Sequence, residues 1–248
     1  MATLAALPNG YGGIHVDPER LPLTPDAFAA ALQTSIDAWR GEQVKVIWLE
    51  LSAGLADLLP AALAQGFRFH HCSDTTLVLT NRLSTAAAVP DPATHGIGVG
   101  GVVLAADGSL LTVLENQDAV DHPERFKLPG GMLAPGEHLA DGIVREVREE
   151  TGIDAVCEGL VSLRHHHRGQ FGSSNIYAVF RLRARSQQLT PDPEEIAVAR
   201  WVPVEEYLAS PGVGAFNRHV VRLAVSRDPL PSVKLPGYMD SPLVYEIY

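Results

Sequence analysis

Apolar residues recur along the chain at two periods, and the changes of period mark out its elements. Phe28, Leu32, Ile36 and Trp39 fall near helical spacing behind the opening signal Thr24-Pro25-Asp26, which predicts a helix there. Leu139, Ile143 and Val147, with Ala140 and Val144 one step round, form a second stripe. It predicts a helix from about Leu139 to Thr151, with Gly152 placed to take the left-handed cap. Val220, Val221, Leu223 and Ala224 predict a closing helix over 216–226, and a shorter helix starts at Pro203. Strand signals fill the rest: 11–16, 44–51, 67–72 with 75–80 as a hairpin, 96–104, 110–115, 156–163, 174–184 and 197–202. Asp107-Gly108 is a strong hairpin turn. Ser52 is suited to cap a helix running to about Gln65, with Pro60 as a kink or break.

These elements fall into two groups. Residues 1–10 read as loose, and an α/β unit then ends near Leu83. Residues 84–94, rich in Ala and Pro, read as a linker, so the expected domains are 1–90 and 91–248. The glycines of 96–104 mark close approach of another backbone or a ligand; no helix follows, so the run is not a dinucleotide fingerprint. The polar stretch 116–124 is expected to border the active site. The Pro-rich tail, with Tyr238, Tyr245 and Tyr248, is expected to pack back on the protein or on a partner subunit.

Composition narrows the class. At 248 residues, 46% hydrophobic and 19% charged, the chain has the make-up of a soluble globular protein. A formal net charge of −10 argues against nucleic acid and anionic membranes as partners. No stretch is as long as a membrane span, and the first ten residues lack the basic flank of a signal peptide. Cys72 and Cys157 are expected to be reduced, buried thiols in a cytoplasmic protein.

The chemistry concentrates in 130–153, GGMLAPGEHLADGIVREVREETGI. Ala134-Pro135-Gly136-Glu137 is a turn signal ahead of the helix. Glu146 stands three residues from Glu149 and four from Glu150, so all three carboxylates share one helix surface. They repel one another and lie toward the C-terminal half of the helix, where the macrodipole disfavours negative charge. Two arrangements relieve this: a solvated face with pairs to Arg145 or Arg148, or a hard divalent cation such as Mg2+ or Mn2+. Such a cation activates water and neutralises charge on a phosphoryl oxygen. The glycine-rich approach and Glu137 favour the cation.

Gly131, Glu137, Arg145, Glu146, Val147, Glu149, Glu150, Gly152 and Ile153 match every fixed position of GX5EX7REUXEEXGU, with U apolar. The chain therefore resembles the Nudix hydrolases, which cleave nucleoside diphosphates linked to another moiety. The resemblance implies that the Gly130 carbonyl, Glu146, Glu149 and Glu150 hold the metal. It also implies that Glu146 handles a proton, Glu137 orients the cluster and Arg145 pairs with the glutamates. The runs YGGIHVDP, FAAALQTSIDAWR, KVIWLELS and AQGFRFHHC are similar to the pre-Nudix region of one branch. That branch contains plant ADP-ribose and NADH pyrophosphatases and the animal fibroblast-growth-factor antisense Nudix proteins. The implied fold is a Nudix α/β/α sandwich with a mixed sheet, preceded by a small α/β domain. The implied substrates are ADP-ribose and NADH, and the implied assembly is a homodimer.

Beyond the box, Arg164-His165-His166-His167-Arg168-Gly169-Gln170-Phe171 fits either a solvated basic loop or a cationic edge for substrate phosphate. Under the second reading Arg164, His167 and Arg168 bind phosphate, Phe171 stacks on a ring, and Phe126 borders the substrate. A metal clip of the three adjacent histidines is disfavoured, since neighbours in a strand face opposite sides. His70, His71 and Cys72 lack zinc spacing and fit a strand end. An FGxSD segment of the plant relatives resembles Phe171-Gly172-Ser173-Ser174-Asn175, with Asn in place of Asp. From the acidic run 190–196, Glu195, with Glu194 as rival, is either a further metal or base residue or part of a solvated loop. Other functions stay open: hydrolysis of an isoprenyl diphosphate, inositol pyrophosphate or nucleotide sugar, a slow-turnover nucleotide sensor, or an isomerase.

Overall fold

The computed structural model describes residues 3–10, 12–239, 241 and 244–248, so Tyr11 of the first expected strand lies outside the described residues. The chain forms two compact units, Met1–Ala93 and Thr94–Tyr248.

In the first unit, strands β1 (Ala6–Pro8), β2 (Gly13–Val16), β3 (Val46–Ser52), β4 (Arg68–Cys72) and β5 (Thr76–Arg82) form a sheet in the order β1-β2-β3-β5-β4. Helix α1 (Pro25–Gly41) turns Phe28, Leu32, Ile36 and Trp39 onto Ile47, Leu49 and Leu51, alternate residues of β3 that share one face. The expected loose N-terminus is instead tied down. Ala6–Pro8 pair with β2, and the buried Ser35 accepts a hydrogen bond from the Leu4 amide at 2.7 Å. Ser52 makes no capping bond. A 3-10 stretch, Ala53–Leu58, follows it, and helix α2 (Leu59–Ala64) carries Pro60 in its first turn, where a missing N–H costs nothing. Both cysteines are free thiols, but Cys72 is exposed and Cys157 half-buried, so neither is the buried thiol expected.

The second unit is built on a mixed sheet. It contains β6 (His95–Leu104), β7 (Leu110–Glu115), β8 (Gly130–Met132), β9 (Ala155–His166), β10 (Ser174–Ala184) and β11 (Ile196–Val202). The order is β11-β7-β6-β10-β9, with β8 beside β6, and only β6 with β10 runs parallel. Alternation decides which helix covers which face. Val99, Val103, Phe180 and Leu182 meet Ile143 and Val147 of α4 (Leu139–Thr151). Val102 and Val179 meet Tyr207 of α5 (Val204–Ala209) and Val220, Val221 and Ala224 of α6 (Ala215–Ser226). This is the α/β/α sandwich expected from sequence.

Two features position the site. Asp107-Gly108 makes the expected turn, with Gly108 at φ 83°, but β6 and β7 pair only at Leu104 and Leu110. Beyond that point β8 takes the place beside β6, pairing Gly98, Val99 and Gly100 with Met132, Gly131 and Gly130. The polar stretch after β7 begins with one helical turn, α3 (Asn116–Ala119), rather than open loop. The tail returns to the protein: Tyr248 packs on Phe180 with ring centres 5.3 Å apart. Its neighbour Glu246 accepts hydrogen bonds from the Leu139 and Ala140 amides at 2.5 and 3.1 Å, at the N-terminus of α4.

A carboxylate on two orphan amides at a helix N-terminus contributes about 1–2 kcal/mol. Glu246→Ala is therefore expected to lower unfolding stability by about that amount, read as a shift in denaturant midpoint at constant slope. An unchanged midpoint would remove the tail from the list of elements that hold α4.

Candidate active site

The site lies where β8 meets the helix it leads into. Gly152 ends α4 in the left-handed region at φ 73°, so the helix stops one residue after the last turn that carries Glu149 and Glu150. Arg145 is the hub. Its Nε and Nη2 donate to the two oxygens of Glu137 at 2.8 and 3.0 Å. Nη1 donates to Glu146 at 2.9 Å and to Glu149 at 2.8 Å, and Nη2 reaches the Met132 carbonyl at 3.3 Å. These bonds engage every nitrogen of the guanidinium. Glu137 also accepts from the Ala134 amide at 3.0 Å, closing the turn in front of the helix. The Arg145 hydrogen bonds hold the Glu137 carboxyl down at about 2.

Glu150 is different. Its side chain is buried, with 3% of the residue exposed, and accepts one bond from the Gly130 amide at 3.2 Å. No cation pairs with it among the described residues. Burial pushes its carboxyl up to about 8, opposed by the Gly130 bond and reinforced by the charges of Glu195, Glu146 and Glu115. Burial likewise raises Glu146, against the pull of Arg145.

Glycine is required on the approach. A Cβ on Gly131 would stand 2.6 Å from a Glu146 oxygen, and one on Gly130, at φ 150°, would meet the Val99 carbonyl at 2.2 Å. The backbone therefore runs against both the carboxylates and β6.

The donors suit a hard divalent cation: carboxylate oxygens, one of them buried with no counter-charge. No three such groups yet converge on one point among the described residues, since Arg145 engages Glu137, Glu146 and Glu149. Glu195 belongs to the same electrostatic neighbourhood, acting on both Glu146 and Glu150. Its carbonyl accepts from the Asn116 amide at 2.8 Å, which ties the acidic run to the end of β7. The Glu194 amide donates to Asp192 Oδ1 at 2.9 Å.

The residues expected to bind substrate are dispersed. Arg164 is not in an open loop: β9 extends through His166, and the guanidinium packs against the rings of Tyr177 and Phe216, which touch each other edge to face. His167 and Arg168 are exposed beyond the strand, and His167 Nδ1 lies 3.2 Å from Ser174 Oγ. Phe171 is fully exposed, with φ at 54°. Phe126 is corrected to a core position: it is buried, and Arg200 packs on its ring at 3.7 Å. His165 packs edge to face on His167, ring centres 4.3 Å apart, and its Nε2 lies 2.9 Å from His95 Nε2. In the first unit, His70 lies within β4, its Nε2 2.7 Å from the Pro90 carbonyl.

Two groups escaped the sequence reading. Lys127 Nζ pairs with Glu115 at 2.9 Å and with Asp118 at 2.6 Å. Burial would lower its pKa, but the Asp118 and Glu115 bonds prevail and raise it. Tyr177 lays its ring along β6: a Cβ on Gly98 or Gly100 would strike it at 2.9 or 2.4 Å. Of these, only the glycine spacing of β6 was visible as a signal.

Comparison with known proteins agrees with this geometry. A family model described as NUDIX domain matches residues 94–224, and one described as Nudix hydrolase domain matches 4–83. Nudix hydrolase 8 of Arabidopsis thaliana is 35% identical over 210 residues, covering 84% of this chain and 57% of that protein. Nudix hydrolase 2 of the same plant is 31% identical over 211 residues, covering 85% of this chain and 76% of that protein. Nucleoside diphosphate-linked moiety X motif 6 of Mus musculus is 34% identical over 220 residues, covering 86% and 70%. The chain thus spans little more than half the length of the first of these relatives.

Glu150 gives a test without any substrate. Its folded-state pKa is raised from 4.5 to about 8, so the folded protein retains a proton that the unfolded chain has released across that window. Stability from this group is greatest below the unfolded value and falls as pH rises toward about 8. In chelator, Glu150→Gln is expected to flatten the loss of stability between about pH 5 and pH 8. A loss of the same size in wild type and variant would contradict the assignment.

Proposed function

Because the chain belongs to the Nudix hydrolase family, we propose that it hydrolyses the pyrophosphate bond of a small diphosphate, with ADP-ribose and NADH as leading substrates. The observation that carries this reading is the contrast inside the box. Arg145 pairs with Glu137, Glu146 and Glu149, while Glu150 is buried with no cation among the described residues. An inert helix gains nothing from that arrangement, since an unpaired buried carboxyl costs stability.

Glu149, Glu150, Glu146 and the Gly130 carbonyl would hold Mg2+ or Mn2+. When bound, the metal lowers the pKa of water and offsets charge on the phosphoryl oxygens. Glu137 acts through Arg145, fixing the guanidinium and with it the rotamers of Glu146 and Glu149. Glu146, already raised by burial, is suited to accept the proton of the attacking water, with Glu195 beside it. Gly130 and Gly131 keep the backbone close enough for the carboxylates to share one point with the diphosphate. Support for ADP-ribose and NADH comes from the resemblance of the first unit to the pre-Nudix region of the branch acting on them. The products are AMP with ribose 5-phosphate, or AMP with reduced nicotinamide mononucleotide.

The test is turnover of the purified chain with Mg2+ or Mn2+ against ADP-ribose, NADH, NAD+, FAD, coenzyme A, sugar nucleotides, dNTPs and isoprenyl diphosphates. Preference for ADP-ribose or NADH is expected, with one solvent oxygen entering the phosphate products in 18O-water. Glu149→Gln should reduce kcat by about 100-fold or more, equivalent to about 3 kcal/mol. Activity confined to a non-nucleotide diphosphate would overturn the substrate, and product lacking solvent oxygen would overturn the reaction.

A further inference from the structure

Of the cations in and beside the box, Arg148 points out to solvent with Asp154 at 3.9 Å, and the other two are committed. Arg145 is engaged by three carboxylates and a carbonyl, and Lys127 by Glu115 and Asp118. A diphosphate brings a second phosphoryl group that these residues leave without a partner, in a protein of net charge −10.

Arg164 is a guanidinium not so consumed. It stands opposite Tyr177 in the β9–β10 pairing. Its Cζ lies 5.1 Å from the centre of the Tyr177 ring and 4.8 Å from that of Phe216, so two aromatic faces hold it. Its Nε is buried with no hydrogen-bond partner. Nη2 has one long bond, 3.4 Å, to the Oδ1 of Asn175. The Asn175 amide nitrogen donates to the Gly96 carbonyl at 3.3 Å, which turns Oδ1 toward the arginine. A neutral amide stands where a carboxylate would cancel the charge. Leaving a partly buried donor of a charged group unmet is costly unless an anion completes it.

Tyr177 connects this guanidinium to the box. Its Oη comes within 2.9 Å of where a Cβ would stand on Gly130, and its ring feels the charges of Glu150 and Glu146 as well as that of Arg164. Arg164 and the buried glutamate thus act on one tyrosine.

We infer that Arg164, packed against the Tyr177–Phe216 ring pair, binds the phosphoryl group of the diphosphate that the box glutamates do not engage. Asn175 keeps the guanidinium available by offering it no charge. This subsite rests on the reading of the chain as a diphosphate hydrolase.

The probe is α,β-methylene-ADP, a nucleoside diphosphate that resists cleavage, titrated calorimetrically into the full chain with Mg2+. Arg164→Met keeps an unbranched side chain against the rings and removes the charge; it is expected to weaken binding by about 10- to 100-fold. Asn175→Asp leaves Arg164 in place but supplies a competing carboxylate, and weakening by at least several-fold is expected. In turnover, Arg164→Met should raise KM more than it lowers kcat. Wild-type binding too weak to detect, or a Kd for Arg164→Met within twofold of wild type at unchanged Tm, overturns the subsite. If Arg164→Met does not fold, Asn175→Asp decides, and an unchanged Kd there overturns it. Binding that depends on Arg164 in a chain that hydrolyses no diphosphate sinks the proposed function and leaves the subsite standing. Hydrolysis with binding insensitive to Arg164 does the reverse.

Discussion

Four carboxylates, those of Glu137, Glu146, Glu149 and Glu150, crowd one corner of the second unit, and one guanidinium bonds three of them. The rest of the structure is arranged around that imbalance. Arg145 cannot also serve Glu150, so the most buried carboxyl is left with a backbone amide as its partner and a pKa raised to about 8. In the proposed reading a divalent cation would supply the missing charge, and the repulsion that makes the cluster unfavourable on its own would be the source of its affinity for the metal.

That corner exists only because glycine backbone builds it. β8 lies against β6 through Gly98, Gly100, Gly130 and Gly131, positions where a methyl group would strike Tyr177, the Val99 carbonyl or Glu146. The sandwich then fixes the helix: Ile143 and Val147 are fully buried against the sheet, so the opposite surface of α4 has no choice but to present its charges. The tail adds a last constraint, with Glu246 on the first amides of α4 and Tyr248 packed on Phe180. The first turn of α4 is thus held by contacts from outside its own sequence.

Much of this was legible in the chain. The apolar stripe Leu139-Ile143-Val147 placed α4 with its observed ends, and the family resemblance implied an Arg145 paired with the glutamates, as its bonds to Glu137, Glu146 and Glu149 have it. Local patterns survive in sequence because period and cap residues act over a few positions. Long-range pairings left no such trace. Nothing near Glu246 announces that it caps a helix about a hundred residues earlier, and nothing in residues 1–10 shows that Leu4 bonds Ser35. Phe126 was misplaced because an aromatic beside a glycine-rich loop looks the same whether it meets a ligand or a core. Arg164 was taken for part of a loop because its His-rich neighbours carry no strand signal, although pairing with β10 extends the strand through them. Burial, which makes Glu150 unlike Glu149, is a property of the fold and is invisible in two adjacent glutamates.

The central claim is that the box carboxylates form one divalent-metal site completed by Glu150. Mn2+ titration followed by electron paramagnetic resonance tests it most directly, because free and bound ion are separately counted. The account predicts Mn2+ binding by wild type that is lost or weakened by about tenfold or more in Glu150→Gln, and unchanged in Glu205→Gln on α5. Equal binding by all three proteins would contradict it and would place any metal elsewhere in the chain.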